Sequence, residues 1–337
     1  MHACRALLLP FLILTALTGA MTARALAAPR TVPLILVICS YHAEYPWQAS
    51  YRAGLEEVLG GKADLRYFDM DTKRLPERAH ASSAERAWET FLALKPDLVV
   101  LGDDAALKHL GPRLARTATP CVYLGINANP RSYTHGAGNI TGILERPLFM
   151  RNIIFIREII GDRFKKGLLL FDTDITSKVI REEQFHGRES LTMAGIRMDL
   201  KMIDDMGEWM RTVASAEKDG YDIILLGLYH TIFDKAGKHV DSEEVLRWSS
   251  ANTPLPLFCF WDFSVGPRGA IGGLVLFGQA QGRLAGETAL RILAGETPSS
   301  IYPVMAEKGR FLFSRSQLAR WSLTLPEYIA VQAEFTD

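Results

Sequence analysis

The sequence predicts an α/β protein built from two like-constructed lobes, and three observations lead there. From Val32 onward, short apolar runs of strand length alternate with amphipathic stretches, the pattern of parallel strands covered by helices on both faces. The chain has 337 residues, and the 310 that follow its first 27 are too many for one ordinary core and suit two domains. Two segments also echo each other. Lys95-Pro96-Asp97-Leu98-Val99-Val100-Leu101-Gly102 and Gly220-Tyr221-Asp222-Ile223-Ile224-Leu225-Leu226-Gly227 share one pattern, and each precedes a Thr-Pro pair and another apolar strand.

The first 27 residues stand outside that plan. His2 and Arg5 give a positive start, residues 6–18 are apolar, and Ala25-Leu26-Ala27 supplies a small-x-small cleavage pattern, so an export signal cut near Ala27 is expected. The apolar run, interrupted by Pro10, is shorter than the roughly 20 residues a spanning helix needs. A soluble periplasmic location follows as the expectation.

The elements then read in order. Residues 32–40 form a continuous apolar strand. Pro46 opens a helix with Trp47, Tyr51, Leu55 and Leu59 on one face. A strand at 64–69, a helix at 81–94, a strand at 97–102, a helix at 105–116 and a strand at 121–125 continue the first series. A helix at 147–160, closed by Gly161, leads to the second: a strand at 167–171, a helix at 176–193, a strand at 196–203 and a helix at 206–218.

Composition excludes several function classes. The expected mature chain carries 36 basic against 38 acidic residues without long like-charge runs, so neither nucleic acid nor a charged membrane surface is indicated as a partner. Cys39, Cys121 and Cys259 lie far apart inside apolar runs and read as core hydrophobes, with no metal or redox spacing. Walker A, G-x-G-x-x-G, G-x-S-x-G and H-E-x-x-H motifs are missing, so no cofactor is expected and the choice tilts from enzyme to binding protein.

Ligands of open parallel sheets bind beyond the carboxyl ends of the strands. In the first series those ends carry Ser40, Tyr41, Asp103, Asp104 and Asn127, with Trp47 opening the next helix. In the second they carry Asp172, Thr173, Tyr229, His230, Trp261 and Asp262. The set combines aromatic faces, hydrogen-bonding groups and carboxylates with almost no Lys or Arg, which suits a small neutral or zwitterionic ligand with a flat apolar part. Helix capping is the competing reading of Ser40, Thr72, Asp103 and Asp174. Asp103 and Asp104 are adjacent and do not face each other as a catalytic pair.

Several segments, taken in order, resemble a known family. They are Ser40-Tyr41-His42 with Tyr45-Pro46-Trp47, Met70-Asp71-Thr72-Lys73-Arg74, Gly102-Asp103-Asp104-Ala105-Ala106-Leu107, Gly125-Ile126-Asn127, Asn139-Ile140-Thr141-Gly142-Ile143 and, in the tail, Gln281-Gly282-Arg283 and Gln317-Leu318-Ala319-Arg320-Trp321. They resemble the exported substrate-binding proteins of ABC transporters, closest to the branch whose domain also serves as the extracellular sensor of some histidine kinases. The resemblance implies the type I periplasmic-binding-protein architecture, two Rossmann-like lobes with the ligand cleft between them. It places residues 28–142 and about 262–298 in an N-terminal lobe, and 143–261 and about 299–337 in a C-terminal lobe. It implies a non-enzymatic monomer that captures a small molecule by lobe closure and delivers it to an ABC permease, or alternatively signals to a separate histidine kinase. An amino acid, aromatic or other, is then a candidate ligand, with Tyr41, Trp47, Tyr229 and Trp261 against its ring and Asp103 or Asp104 at its ammonium group. Its carboxylate would fall to Ser40 and backbone N–H groups. Ser322 stands where relatives often have glycine, and the loop 229–239 has no match in the family pattern. A small-molecule enzyme using Asp103, Asp172 or His230 as acid or base is the reading from another class.

Overall fold

Two parallel sheets are laid down one after the other by the same winding rule. In the first, β1 (Leu34–Cys39), α1 (Pro46–Leu59), β2 (Asp64–Asp69), α2 (His80–Leu94), β3 (Leu98–Gly102), α3 (Asp103–Leu114), β4 (Cys121–Ile126), the short α4 (Arg131–Thr134) and β5 (Ile140–Leu144) follow in sequence. After α5 (Phe149–Ile160) come β6 (Lys166–Phe171), α6 (Ile175–Phe185), β7 (Ser190–Met193), β8 (Ile196–Met202), α7 (Met206–Ser215), β9 (Ile223–Leu226), α8 (Ser242–Asn252) and β10 (Leu257–Cys259). The sheet orders are β2-β1-β3-β4-β5 and β7-β8-β6-β9-β10. Apart from the added edge strand β7, strands β6, β8, β9 and β10 repeat the places of β1, β2, β3 and β4. The structure is a computed structural model describing residues 31–306 and 309–337, so the expected export segment lies outside the described residues. Val32–Asp337 forms one compact unit.

The sequence echo has a structural cause. Asp97, just before β3, accepts the Leu34 N–H at 2.7 Å, and Asp222, just before β9, accepts the Lys165 and Lys166 N–H groups at 2.8 and 2.7 Å. Each aspartate pins the start of the neighbouring strand, β1 or β6, in matching register. The apolar run behind it is buried on both faces because helices cover both.

The chain passes between the two sheets after β5 and again along its tail. β11 (Gly272–Val275) extends the second half, bonding the Ile271 N–H to the Leu257 carbonyl at 2.7 Å. α9 (Gly278–Leu293) then packs on α1 with the backbones almost touching. A Cβ on Gly282 would lie 1.9 Å from the Tyr51 carbonyl oxygen, and one on Gly54 would lie 2.2 Å from that of Gln279. β12 (Val304–Met305) joins the edge of the first sheet beside β5, after which β13 (Arg310–Phe313) returns to pair with β11. α10 (Arg315–Arg320), α11 (Glu327–Ala330) and β14 (Glu334–Phe335) finish the second half.

One expected element is corrected. The helix anticipated at 176–193 ends at Phe185, where His186 and Gly187 take left-handed conformations with φ of 53° and 71°, and β7 and β8 follow as a hairpin. Ala194 and Gly195, at φ 50° and 77°, form its two-residue turn, the geometry that matches the twist of antiparallel strands.

Candidate ligand-binding cleft

The carboxyl ends of the two sheets meet, and side chains from both close over each other. Lys73, in the segment after β2, is fully buried and donates to Asp174 Oδ2 at 2.7 Å, with Asp172 Oδ2 at 3.7 Å; both aspartates stand at the end of β6. Its ammonium lies 5.0 Å from the centre of the Tyr41 ring and 5.9 Å from that of Tyr45. Burial alone would strip that charge from lysine. The two aspartates outweigh it and hold the ammonium above its ordinary range. Asp172 is also opposed by burial, yet Lys73 and the Ser177 hydroxyl keep it ionised below the usual carboxylate range. Further contacts cross the same gap: Tyr41 OH to Thr176 Oγ1 at 3.0 Å, Tyr45 edge-on to His230 with ring centres 4.6 Å apart, and Lys178 to Glu77 at 2.9 Å.

The residues singled out from sequence divide into three groups. The first is consumed by the chain itself. Ser40 Oγ donates to the Gly102 carbonyl at 2.6 Å and accepts from the Ala106 N–H at 2.8 Å, which ties β1 to the first turn of α3. That corrects its expected part in binding a carboxylate. The Asp104 oxygens accept the Asn127 and Ala128 N–H groups at 3.1 and 3.0 Å, fixing the loop after β4; burial lifts this carboxyl to about 6. Asp172 accepts the N–H groups of Asp174, His230 and Thr231 and the Ser177 hydroxyl. Tyr229 stacks on His230 at 4.3 Å and bonds Ser264 behind it.

The second group meets around a buried carboxylate. Asp103 is 2 % exposed, adopts a left-handed backbone with φ 69°, and accepts the Trp47 Nε1–H on Oδ1 at 2.9 Å. Its Oδ2 has no partner. Room for the carboxylate exists because residue 125 is glycine: a Cβ there would lie 2.6 Å from Asp103 Oδ1. Burial, then Glu145 and Asp104, push the Asp103 carboxyl far above its ordinary range. Asn127 donates to Glu145 Oε2 at 3.2 Å and leaves its own Oδ1 unpaired; Trp261 donates to Glu145 Oε1 at 2.7 Å. Burial raises Glu145 to about 8. A strained, incompletely bonded carboxylate among aromatic rings is a feature that packing alone does not select.

The third group lies away from that centre. Thr173 bonds Asp204 at 3.1 Å on the wall of an outer pocket of about 710 Å³, which Arg74, Pro76, Arg78, Lys178 and Phe233 also line. Asp262 accepts the Phe263 N–H beside the charge of Arg310.

Sequence reasoning missed Lys73, Tyr45, Glu145 and Thr176 as members of the cleft, and Asp174, weighed there as a helix cap, caps nothing with its side chain and instead receives Lys73. The expectation of a cleft nearly free of Lys and Arg is corrected by Lys73 at its centre. Glu145 directly follows β5 and so carried the same strand-end signal as the residues that were chosen.

Comparison of the whole structure with solved ones decides the architecture. An ABC domain from Streptococcus pneumoniae in complex with L-Trp superposes with a TM-score of 0.66 at 16% identity, over 90% of this chain and 99% of that one. A conserved domain protein from Vibrio cholerae gives 0.67 at 17% identity over 91% and 100%. The ligand-free, open form of a Clostridium difficile substrate-binding protein with adhesive properties gives 0.64 at 14% over 91% and 100%. The chain has the type I periplasmic-binding-protein fold. No protein-family model and no curated relative matches the sequence. Among the described residues no helix is long and apolar enough to cross a membrane.

Proposed function

We propose that this protein is an exported, non-enzymatic solute-binding protein that captures a small aromatic solute between its lobes and presents the closed form to an ABC permease. The observation that carries the reading is the buried Asp103–Asn127–Glu145 group, with unpaired oxygens on Asp103 and Asn127, at the carboxyl edge of the first sheet, where Lys73 reaches across to Asp174. Trp47, Tyr41, Tyr45 and Trp261 frame that group with aromatic faces, and L-Trp in the Streptococcus pneumoniae neighbour supports a flat ring in this position. Most of the strand-end carboxylates are tied into backbone hydrogen bonds, which supports holding a ligand over transforming it. The lobes are proposed to divide near residue 142, with α9 belonging to the first through its contact with α1.

Closure shifts populations only by the ligand's differential affinity for the closed state, so both lobes must touch the solute. The test is native mass spectrometry of the protein as purified, joined to a thermal melt with the released compound added back. A bound compound that raises the melting temperature, by the equivalent of about 2.7 kcal/mol at a hundredfold excess over Kd, supports the reading. A protein that carries no compound and whose scattering profile no solute changes rejects it.

A further inference from the structure

Tyr45 is the exception in its own loop. Ala43, Glu44 and Pro46 beside it are exposed, yet Tyr45 is only 3 % exposed, because its ring turns inward between the two halves. Three rings meet it there: Tyr41 from the first half with centres 4.7 Å apart, His230 from the second at 4.6 Å, both edge to face, and Phe263 at 6.0 Å. The Lys73 ammonium lies 5.9 Å from the ring centre. Burial, and after it the carboxyls of Asp103, Asp172 and Asp174, hold the Tyr45 hydroxyl well above its ordinary range, so the phenol stays neutral between the acidic ends of both sheets.

The ring and the backbone of Tyr45 are held separately. Its N–H donates to the His42 carbonyl at 3.0 Å, and its carbonyl accepts the Ala49 N–H at 2.9 Å in the first turn of α1. Rotation about the Cα–Cβ bond therefore moves the ring while the loop and the helix stay in place. Its aromatic neighbours are anchored in a different way, Tyr41 by a hydrogen bond to Thr176 and Tyr229 by one to Ser264. Space for a displaced ring adjoins: an outer pocket of about 650 Å³ is lined by Tyr45 itself with His42, Arg74, His230 and His239.

We propose that Tyr45 and the ring of the solute compete for one position. The Tyr45 side chain swings out into the adjoining pocket, and the solute's ring takes its place against Tyr41, His230 and Phe263. This rests on the solute-binding reading above and adds to it the residue that decides which ring enters. The position selects by shape, because ring edges aimed at a ring face reward a flat aromatic and offer a saturated ring of the same size no such contact. Tyr45 also sets the affinity, which falls by the fraction of molecules in which its ring is turned out.

The test is isothermal titration calorimetry of the purified protein and of Tyr45→Gly with phenol and with cyclohexanol, which is close to phenol in size but lacks its flat ring. Tyr45→Gly is expected to bind phenol about tenfold or more tightly than the parent does, with no such gain for cyclohexanol. Tyr45→Ala should show the same order with a smaller gain, and Tyr45→Phe, which keeps the ring, should bind phenol as the parent does. A compound found on the parent by native mass spectrometry should occupy a larger share of Tyr45→Ala, because its competitor has gone, whereas a residue that merely framed the solute would lower that share. Equal phenol affinity in parent and variants, no phenol binding by either small variant, equal gains for both alcohols, or a share in Tyr45→Ala no larger than in the parent overturns the proposal. Failure of both Tyr45→Gly and Tyr45→Ala to fold where Tyr45→Phe folds overturns it as well, since a ring that swings out is not one the fold requires. A parent that carries no compound counts against the solute-binding reading, and the phenol titrations are read independently of it, so the two failures are told apart.

Discussion

Lys73→Met removes the one fully buried cation among the described residues, which crosses from the first sheet's loops to the second, and the structure fixes what must follow. If the lobes stayed closed, Asp174 would be left buried without its counter-ion, which costs about 3–5 kcal/mol. Asp172 would fare better, because three backbone N–H groups and the Ser177 hydroxyl still hold it. If the lobes opened instead, water would satisfy Asp174. The contacts forfeited would include the Tyr41–Thr176 hydrogen bond, worth about 0.5–1.5 kcal/mol, the Tyr45–His230 ring pair, worth a similar amount, the packing of half-buried Val179 against the first half, and the exposed Lys178–Glu77 pair, worth little. Opening is the cheaper response. The expected outcome for the unliganded variant is therefore a larger radius of gyration by small-angle scattering with only a modest fall in melting temperature, and Asp174→Asn added to Lys73→Met should recover part of the compactness. A variant whose scattering superimposes on the parent, or one that unfolds outright without an open intermediate, would refute the reasoning, since either result means that the ion pair does not govern the gap between the lobes.

Other substitutions probe the frame around the cleft. Gly282→Ala forces a methyl group to within 1.9 Å of the Tyr51 carbonyl and should drive α9 off α1, at a cost of about 1–3 kcal/mol or more, read as a lower denaturation midpoint. Asp222→Ala deprives the Lys165 and Lys166 N–H groups of their shared acceptor; a loss of about 1.5–3 kcal/mol is expected, with faster amide exchange at the start of β6 than at the start of β1. Glu145 is raised in the folded protein to about 8, so the folded state binds its proton more tightly than the unfolded chain does. Its stabilising contribution is complete below the unfolded value and is lost as pH rises through about 8. Melting temperature should fall between about pH 5 and pH 8, and the fall should be shallower in Glu145→Gln; equal slopes would count against this account.

What could be read from the sequence was what local chemistry dictates. The echo around Asp97 and Asp222 was legible because each aspartate acts within a few residues of a strand that must be apolar on both faces. The strand ends followed, because every parallel strand delivers its next loop to the same edge. Of the hairpin β7–β8, the strand β8 was recognised and the four-residue β7 was not: it was absorbed into the preceding helix although His186-Gly187 and Ala194-Gly195 carried turn signals. Lys73 was invisible for a different reason. A lysine next to Arg74 in a loop ordinarily belongs in water, and only the approach of Asp172 and Asp174, about a hundred residues later, makes its burial possible.

That distribution separates the two tasks of the cleft. On the second-lobe side Asp172 is saturated by its own backbone, so that wall is rigid and offers Lys73 a fixed landing point. On the first-lobe side the carboxyl of Asp103 is held in a left-handed turn with one oxygen idle, which under the proposed function concentrates recognition there. Under the proposed function, the contribution of Lys73 to closure does not depend on which solute is held, whereas the free energy that favours one solute over another comes from filling the idle acceptors. Replacements at Lys73 should accordingly change affinity for all solutes in the same proportion, and replacements at Asp103 should change their ranking. The two sets of variants measured on one panel of amines, amino acids and polyols would separate those effects directly, and a reranking caused by Lys73→Met would show that closure and recognition are a single event.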